Sequence, residues 1–254
     1  MTGIGEANST ILAEPRLAAS VILVRDAPLP ASSGASAGPE GADGAAISEG
    51  AVSDLEVFVQ HRVSTMDFAA GMVVFPGGRV DHADSTGWKF TDDVVEQHAA
   101  AWHRSSIAVE PASARHNAGR VLAAAQREVF EEAGLKLDAT TLRPWANWVT
   151  PEDQPKRFDT YFYVACPSVG AEPQHQTTEA SSSLWMPVRG ILAAEAAGTL
   201  KLMPPTLVLL DELLALGTVA AVLAEERDIV PVRPQPGALQ EFFRLRRQPP
   251  SVAP

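Results

Sequence analysis

Arg127-Glu128-Val129-Phe130-Glu131-Glu132-Ala133-Gly134-Leu135 follows the apolar run Val121-Leu122-Ala123-Ala124-Ala125. Read as one helix, the stretch places Glu131 and Glu132 three and four residues beyond Glu128, so the carboxylates crowd one side. Such crowding is repulsive unless a positive charge sits among them. Gly134 supplies the C-terminal stop. An acidic cluster facing one way on a rigid element is what a hard divalent cation needs.

The helix ends at Ala133 and starts between Ser113, a candidate N-cap, and Gly119. Upstream, residues 16–25, 55–60 and 71–75 are strand patterns, the last closed by Pro76-Gly77-Gly78. A second helix is expected over 92–102. Downstream, strands are expected at 146–150, 158–166 and 183–187, then helices at 188–197, 205–216 and onward to Arg227. The mixture predicts an α/β (α+β) class in one domain over 16–230. Residues 1–15 form a flexible N-terminal tail in this reading, and 231–254 an irregular, proline-rich C-terminal tail. The Ala-, Gly-, Ser- and Pro-rich stretch 26–52 cannot bury enough to order itself and is expected as a mobile loop.

A chain of 254 residues buries a sizeable core. Net charge is −11, from 31 acidic against 20 basic residues, which disfavours a nucleic-acid footprint but leaves room for a small phosphorylated ligand held through metal. The single cysteine, Cys166, precludes an intramolecular disulfide and fits a reducing compartment. No secretory pattern opens the chain, and Asp211 and Glu212 interrupt the most apolar stretch, 207–224, so no membrane partner and a cytoplasmic location are expected. Those apolar helices suit a homodimer contact or packing within one subunit. The six histidines show no metal-ligand spacing.

Gly77-Gly78 lets backbone approach a ligand without Cβ obstruction. Alone it is a common turn, and Glu-x-x-Glu-Glu alone is usually a solvated helix face. Together they resemble the Nudix hydrolases, whose motif runs Gly, five residues, Glu, seven residues, Arg-Glu-apolar-x-Glu-Glu-x-Gly-apolar. Gly78 opens it, and Arg127, Glu128, Val129, Glu131, Glu132, Gly134 and Leu135 fill its second half. Asp84 stands where the first glutamate belongs, and a long insertion, counted here as 85–118, splits the motif. The split resembles a long-insertion subgroup, that of the peroxisomal coenzyme A diphosphatase. Residues 59–62, 71–78, 157–160 and Trp185 add local similarity.

The resemblance implies a Nudix-type α/β/α sandwich around a mixed sheet, with a helical insertion and C-terminal helices. It implies metal-dependent hydrolysis of a nucleoside diphosphate linked to another moiety, with Mg²⁺ or Mn²⁺ as cofactor. Glu128, Glu131, Glu132 and the Gly78 carbonyl are the implied metal ligands. Glu131 and Arg127 are the implied catalytic pair, Arg127 by orienting a glutamate, while Asp84 braces. A further acid from a later loop is Glu179, with Glu152 as rival. Arg62 and Arg157 are candidate substrate contacts; a structural salt bridge of Arg157 is the alternative. Phe158, Tyr161 and Tyr163 are candidates for stacking an adenine or for the core. Coenzyme A or acyl-CoA is the leading substrate, although Asp67 stands at the second arginine of the coenzyme A signature. NADH or ADP-ribose is the alternative, and a Nudix-fold regulator that binds a nucleotide without cutting it is the second class. A structural module with a coincidental acidic helix is the third.

Overall fold

The computed structural model describes residues 13–27, 54–63, 69–168 and 170–246. The expected mobile loop falls almost wholly outside these residues, as do Asp67 and most of the expected N-terminal tail.

The strands are β1 (Arg16–Asp26), β2 (Leu55–Arg62), β3 (Val73–Val74), β4 (Gly77–Arg79), β5 (Arg143–Val149), β6 (Phe158–Ala165) and β7 (Ala180–Pro187). The helices are α1 (Asp92–Ala101), α2 (Pro111–Ala133), α3 (Val188–Ala196), α4 (Pro204–Leu216), α5 (Val219–Ala224) and α6 (Ala238–Arg246). The main sheet runs β3-β2-β1-β6-β5, with β4 on β1 and β7 on β2. Only β1 and β6 pair in parallel, so the sheet is mixed.

Side-chain alternation along β1 and β6 builds the layers. Ala19, Val21, Leu23, Tyr161 and Tyr163 pack with Val121, Leu122, Ala125 and Val129 of α2. Ile22, Val24, Phe162 and Val164 pack with Ile191, Leu209, Leu210, Leu213 and Val222 of α3, α4 and α5. The result is the expected α/β/α sandwich. Leu207, Leu209, Leu210, Leu213, Val219 and Val222 of the apolar stretch are buried within the subunit, while Val208 is exposed.

Three local expectations change. The long helix begins at Pro111, not near Ser113: Glu110 is the N-cap, and a proline in the first turn needs no amide donor. Gly77-Gly78 extends into a short strand on β1 instead of closing a turn. Residues 238–246 form a helix where an irregular tail was expected. That C-terminal segment is held at several points. Val232 exchanges backbone hydrogen bonds with β5, at 2.8 and 2.9 Å. The Gly237 amide donates to Asp153 at 2.9 Å, and Arg246 reaches Glu195 at 2.7 Å.

The insertion belongs to the core. Trp102 is fully buried, edge-on to Tyr161 and Tyr163, and its Nε1 donates to the Tyr163 hydroxyl at 3.3 Å. Ser106 Oγ donates to Asp159, which also accepts from Asn147 at 2.6 Å. No residue of 85–118 lines the main cleft. Among the described residues, no helix is long and apolar enough to cross a membrane.

Candidate active site

A cleft of about 1460 Å³ opens on the face of the sheet beyond the cover of α3 and α4, and Gly77, Gly78, Glu128, Glu131 and Glu132 line it. The acids come from the last turns of α2. Buried side chains at 118, 121, 122, 125, 129, 132 and 133 press that helix on the sheet at helical spacing, which fixes its rotation. Gly134, at φ +69°, ends it and returns its amide to the Phe130 carbonyl.

The two glycines let the carboxylates reach the cleft. The Gly77 amide donates to Glu132 Oε2 at 2.9 Å. A Cβ on Gly78 would stand in the Glu128 carboxylate, so only glycine leaves that group its place. Burial, opposed by the Gly77 hydrogen bond and joined by repulsion from Glu128 and Glu179, pushes the Glu132 carboxyl up to about 7. Burial also raises the Glu128 carboxyl, against the attraction of Arg127.

Arg127 ties the acids together. It donates to both Asp84 oxygens at 2.9 Å, to Glu128 at 2.9 Å, to Glu131 at 3.0 Å and to the Arg79 carbonyl at 2.9 Å. The Asp84 bonds and the nearby acids hold its pKa far above the usual guanidinium range, against the opposing effect of burial. The Asp84 carboxylate also accepts from the Asp81 amide at 2.7 Å. Asp84 thus meets Arg127, not the cleft.

Across the cleft, Arg62 pairs with Glu179 at 3.2 Å, and Glu179 precedes β7. Both line the cleft, whereas Glu152, exposed in the turn after β5, does not. Arg62 Nε is buried with no hydrogen-bond partner among the described residues. Arg157 lines the cleft too, but its guanidinium donates to the carbonyls of Thr150 and Ala13 at 3.1 and 2.8 Å. Among the described residues, neither Asp159 nor a helix acid pairs with it. Phe158 lines the cleft, while Tyr161 and Tyr163 point to the opposite layer and serve the core. Trp148, Val232, Leu239 and Phe242 also line the cleft. They carry no motif, and contacts between residues far apart in sequence, such as Trp148 with Val232, 84 positions on, bring them there.

Among the described residues, no three His, Cys, Asp or Glu side chains are gathered closely enough to cage a metal ion. Mg²⁺ does not require such a cage, because it binds through one or two carboxylates, waters and substrate phosphates. The buried, mutually repelling Glu128 and Glu132 beside Gly78 fit that mode.

The NUDIX domain family matches residues 115–204. No curated protein matches the sequence. Among solved structures, a NUDIX hydrolase from Alicyclobacillus acidocaldarius is similar at a TM-score of 0.58 and 24% identity, over 87% of this chain and 99% of that one. RenU, a Nudix hydrolase from M. smegmatis, gives 0.40 at 18% identity, over 84% and 89%. An Ap4A hydrolase from C. elegans, in a binary complex, gives 0.42 at 14% identity, over 79% and 96%. The first of these likenesses speaks to fold, and the other two carry nothing further. Residues 115–204, which include the acidic end of α2, thus match the NUDIX domain family, and the sandwich shares its fold with the Alicyclobacillus protein.

Proposed function

We propose that the protein hydrolyses a nucleoside diphosphate linked to a second moiety, with coenzyme A or acyl-CoA as the leading substrate. The observation that carries the reading is that Gly78 and all three glutamates of α2 line the same cleft as Arg62 and Glu179.

In this reading Glu128, Glu132 and the Gly78 carbonyl hold Mg²⁺ or Mn²⁺, with Glu131 joining them directly or through water. Bound there, the cation neutralises diphosphate charge and lowers the pKa of water. Arg127 holds Glu128 and Glu131 on one side of the cleft. Arg62 offers its guanidinium to a phosphate. Glu179, already facing Arg62, takes the proton of the attacking water. The oxygen of that water bonds to phosphorus as the anhydride P–O bond breaks, and the leaving phosphate carries the electron pair away. Arg157 shapes the wall of the cleft through its hold on Thr150 and Ala13. NADH and ADP-ribose present the same anhydride and remain the alternative substrates.

The test is a panel of coenzyme A, NADH and ADP-ribose with Mg²⁺ or Mn²⁺, read by the adenosine phosphates released. Coenzyme A should yield adenosine 3′,5′-bisphosphate and phosphopantetheine. Glu131→Gln and Glu132→Gln should each abolish metal-dependent turnover while leaving the circular dichroism spectrum unchanged. Full activity in both variants overturns the site, and no cleavage of any panel member favours a binding protein.

A further inference from the structure

One row of strand partners crosses the floor of the cleft. Arg79 stands opposite Ala18, Ala18 beside Thr160, Thr160 opposite Trp148, and Trp148 beside Val232. All five line the cleft. At about 4.8 Å per strand, Trp148 lies ~14 Å from Arg79. The near end of the row belongs to the acidic site, because the Arg79 carbonyl accepts from Arg127. Between the ends the row carries only Ala18 and Thr160, flanked along β1 and β6 by Arg16, Ser20, Phe158 and Phe162. At the far end it rises into Trp148.

The far wall comes from the C-terminal segment, through Val232, Pro234, Ala238, Leu239 and Phe242, with Arg233 its one charged lining residue. The Val232 pairing and the Gly237–Asp153 and Arg246–Glu195 contacts fix that wall against β5 and α3. A nucleobase there would need groups for its polar edge. The C-terminal segment offers mainly aliphatic and ring carbon, which suits a chain without polar groups, while the charged lining residues Glu14, Arg16, Lys156 and Arg157 stand at the starts of β1 and β6.

We propose that the far end of this trough binds an acyl or alkyl chain carried by the diphosphate substrate, and that Leu239 and Phe242 of α6 set the preferred chain length. This inference rests on the diphosphatase reading and adds a specificity element to it. The diphosphate sits at the acids, the linker runs over Ala18 and Thr160, and the apolar terminus lies against Trp148 and α6.

Leu239→Ser and Phe242→Ser test it: no residue of α6 is buried, and because Phe242 packs against the core, melting temperatures are measured for both variants. Wild-type protein is assayed with coenzyme A thioesters from acetyl to dodecanoyl. KM should fall roughly two- to fourfold per added methylene until the trough is filled, with kcat level. In the serine variants the slope should flatten, so that the ratio of dodecanoyl-CoA to acetyl-CoA KM moves toward one. Leu239→Trp, which fills the end of the trough, should shift the best substrate to a shorter chain. A flat series in wild type, or an unchanged slope in all three variants, overturns the proposal. Weakened binding of ADP in the serine variants would place a base there and also overturn it. Binding of dansyl-undecanoate, measured in EDTA, separates this inference from the function. Binding to wild type, weakened at least fivefold in the serine variants, supports the apolar end even if no thioester is cleaved, while equal binding by all variants rejects it.

Discussion

Asp84 and Arg127, 43 positions apart in sequence, form a two-pronged ion pair with both contacts at 2.9 Å. The pair reunites the two halves of a motif that the insertion splits. Asp84 is buried, and its partner also holds Glu128 and Glu131. Removing Asp84 therefore leaves a guanidinium short of charge and frees it to draw on the glutamates instead. Asp84→Ala should lower stability by ~3 kcal/mol, the lower end for breaking a buried pair, because Arg127 keeps some solvent. Activity should fall at least tenfold through kcat, and Asp84→Glu should recover part of both. Urea denaturation and steady-state kinetics on the same preparations check this; unchanged kinetics in Asp84→Ala would remove the bracing role.

The two glycines of β4 should separate folding from chemistry. A Cβ at Gly77 would meet the backbone of Ala19 and Ser20, which cannot yield without breaking the β1–β4 pairing. A Cβ at Gly78 would meet only the carboxylate end of Glu128, a side chain that can swing aside. Gly77→Ala should thus cost several kcal/mol, in the range of strained core substitutions at about 2–4 kcal/mol. Gly78→Ala should stay within ~1 kcal/mol of wild type yet lose at least tenfold in kcat. Thermal melts set beside turnover decide it, and equal stability of the two variants would contradict the geometry.

The acidic helix and the strand–glycine–glycine unit were legible because each is local: helical spacing places three carboxylates, and Gly134 marks the stop. Asp84 was legible only through the spacing of the motif. The α6 helix escaped notice because the nearby prolines 231, 234 and 236 suggested a tail, and its packing depends on strand β5, some 90 residues earlier. Arg157 shows the other limit. Charge and position favoured a phosphate or a carboxylate partner, but its donors went to two backbone carbonyls, one of them 144 residues away. The substrate end of the cleft was illegible for the same reason: Ala18, Thr160, Trp148 and Val232 meet only through sheet order.

Stability should depend on pH through two opposed groups. Burial holds the His98 imidazole down to about 4 from 6.5, so its contribution is complete above 6.5 and is lost as pH falls toward 4. Glu132 is raised from 4.5 to about 7, so its contribution is complete below 4.5 and is lost as pH rises through 7. At about 1.4 kcal/mol per pH unit, each is worth ~3 kcal/mol across nearly the same window, and in opposite directions. In EDTA the wild-type profile from these groups should be nearly level between pH 4.5 and 7. Glu132→Gln should be more stable than wild type at pH 8 and lose that advantage below about 4.5. His98→Asn should lose the acid-side decline and keep the alkaline one. Chemical denaturation at half-unit pH intervals measures both, and parallel profiles for the two variants would refute the assignment.

The insertion should matter for folding and not for the cleft. Trp102 is wholly buried against Tyr161 and Tyr163 on the layer opposite the cleft, and no residue of the insertion lines the cleft. Trp102→Ala removes a large ring and its Nε1 hydrogen bond to Tyr163, leaving a cavity beneath β6. The cost should be about 3–5 kcal/mol. Tyr161 and Tyr163 are anchored in β6 between β1 and β5, so the opposite face of that strand, with Thr160 and Phe162, should hold its place. The variant should therefore show a markedly lower melting temperature with kcat per folded molecule within about twofold of wild type, a difference of ~0.4 kcal/mol in barrier. Kinetics at low temperature, normalised to the folded fraction by tryptophan fluorescence, give the comparison. A kcat loss above tenfold at full folding would mean that the insertion acts on the chemistry through β6.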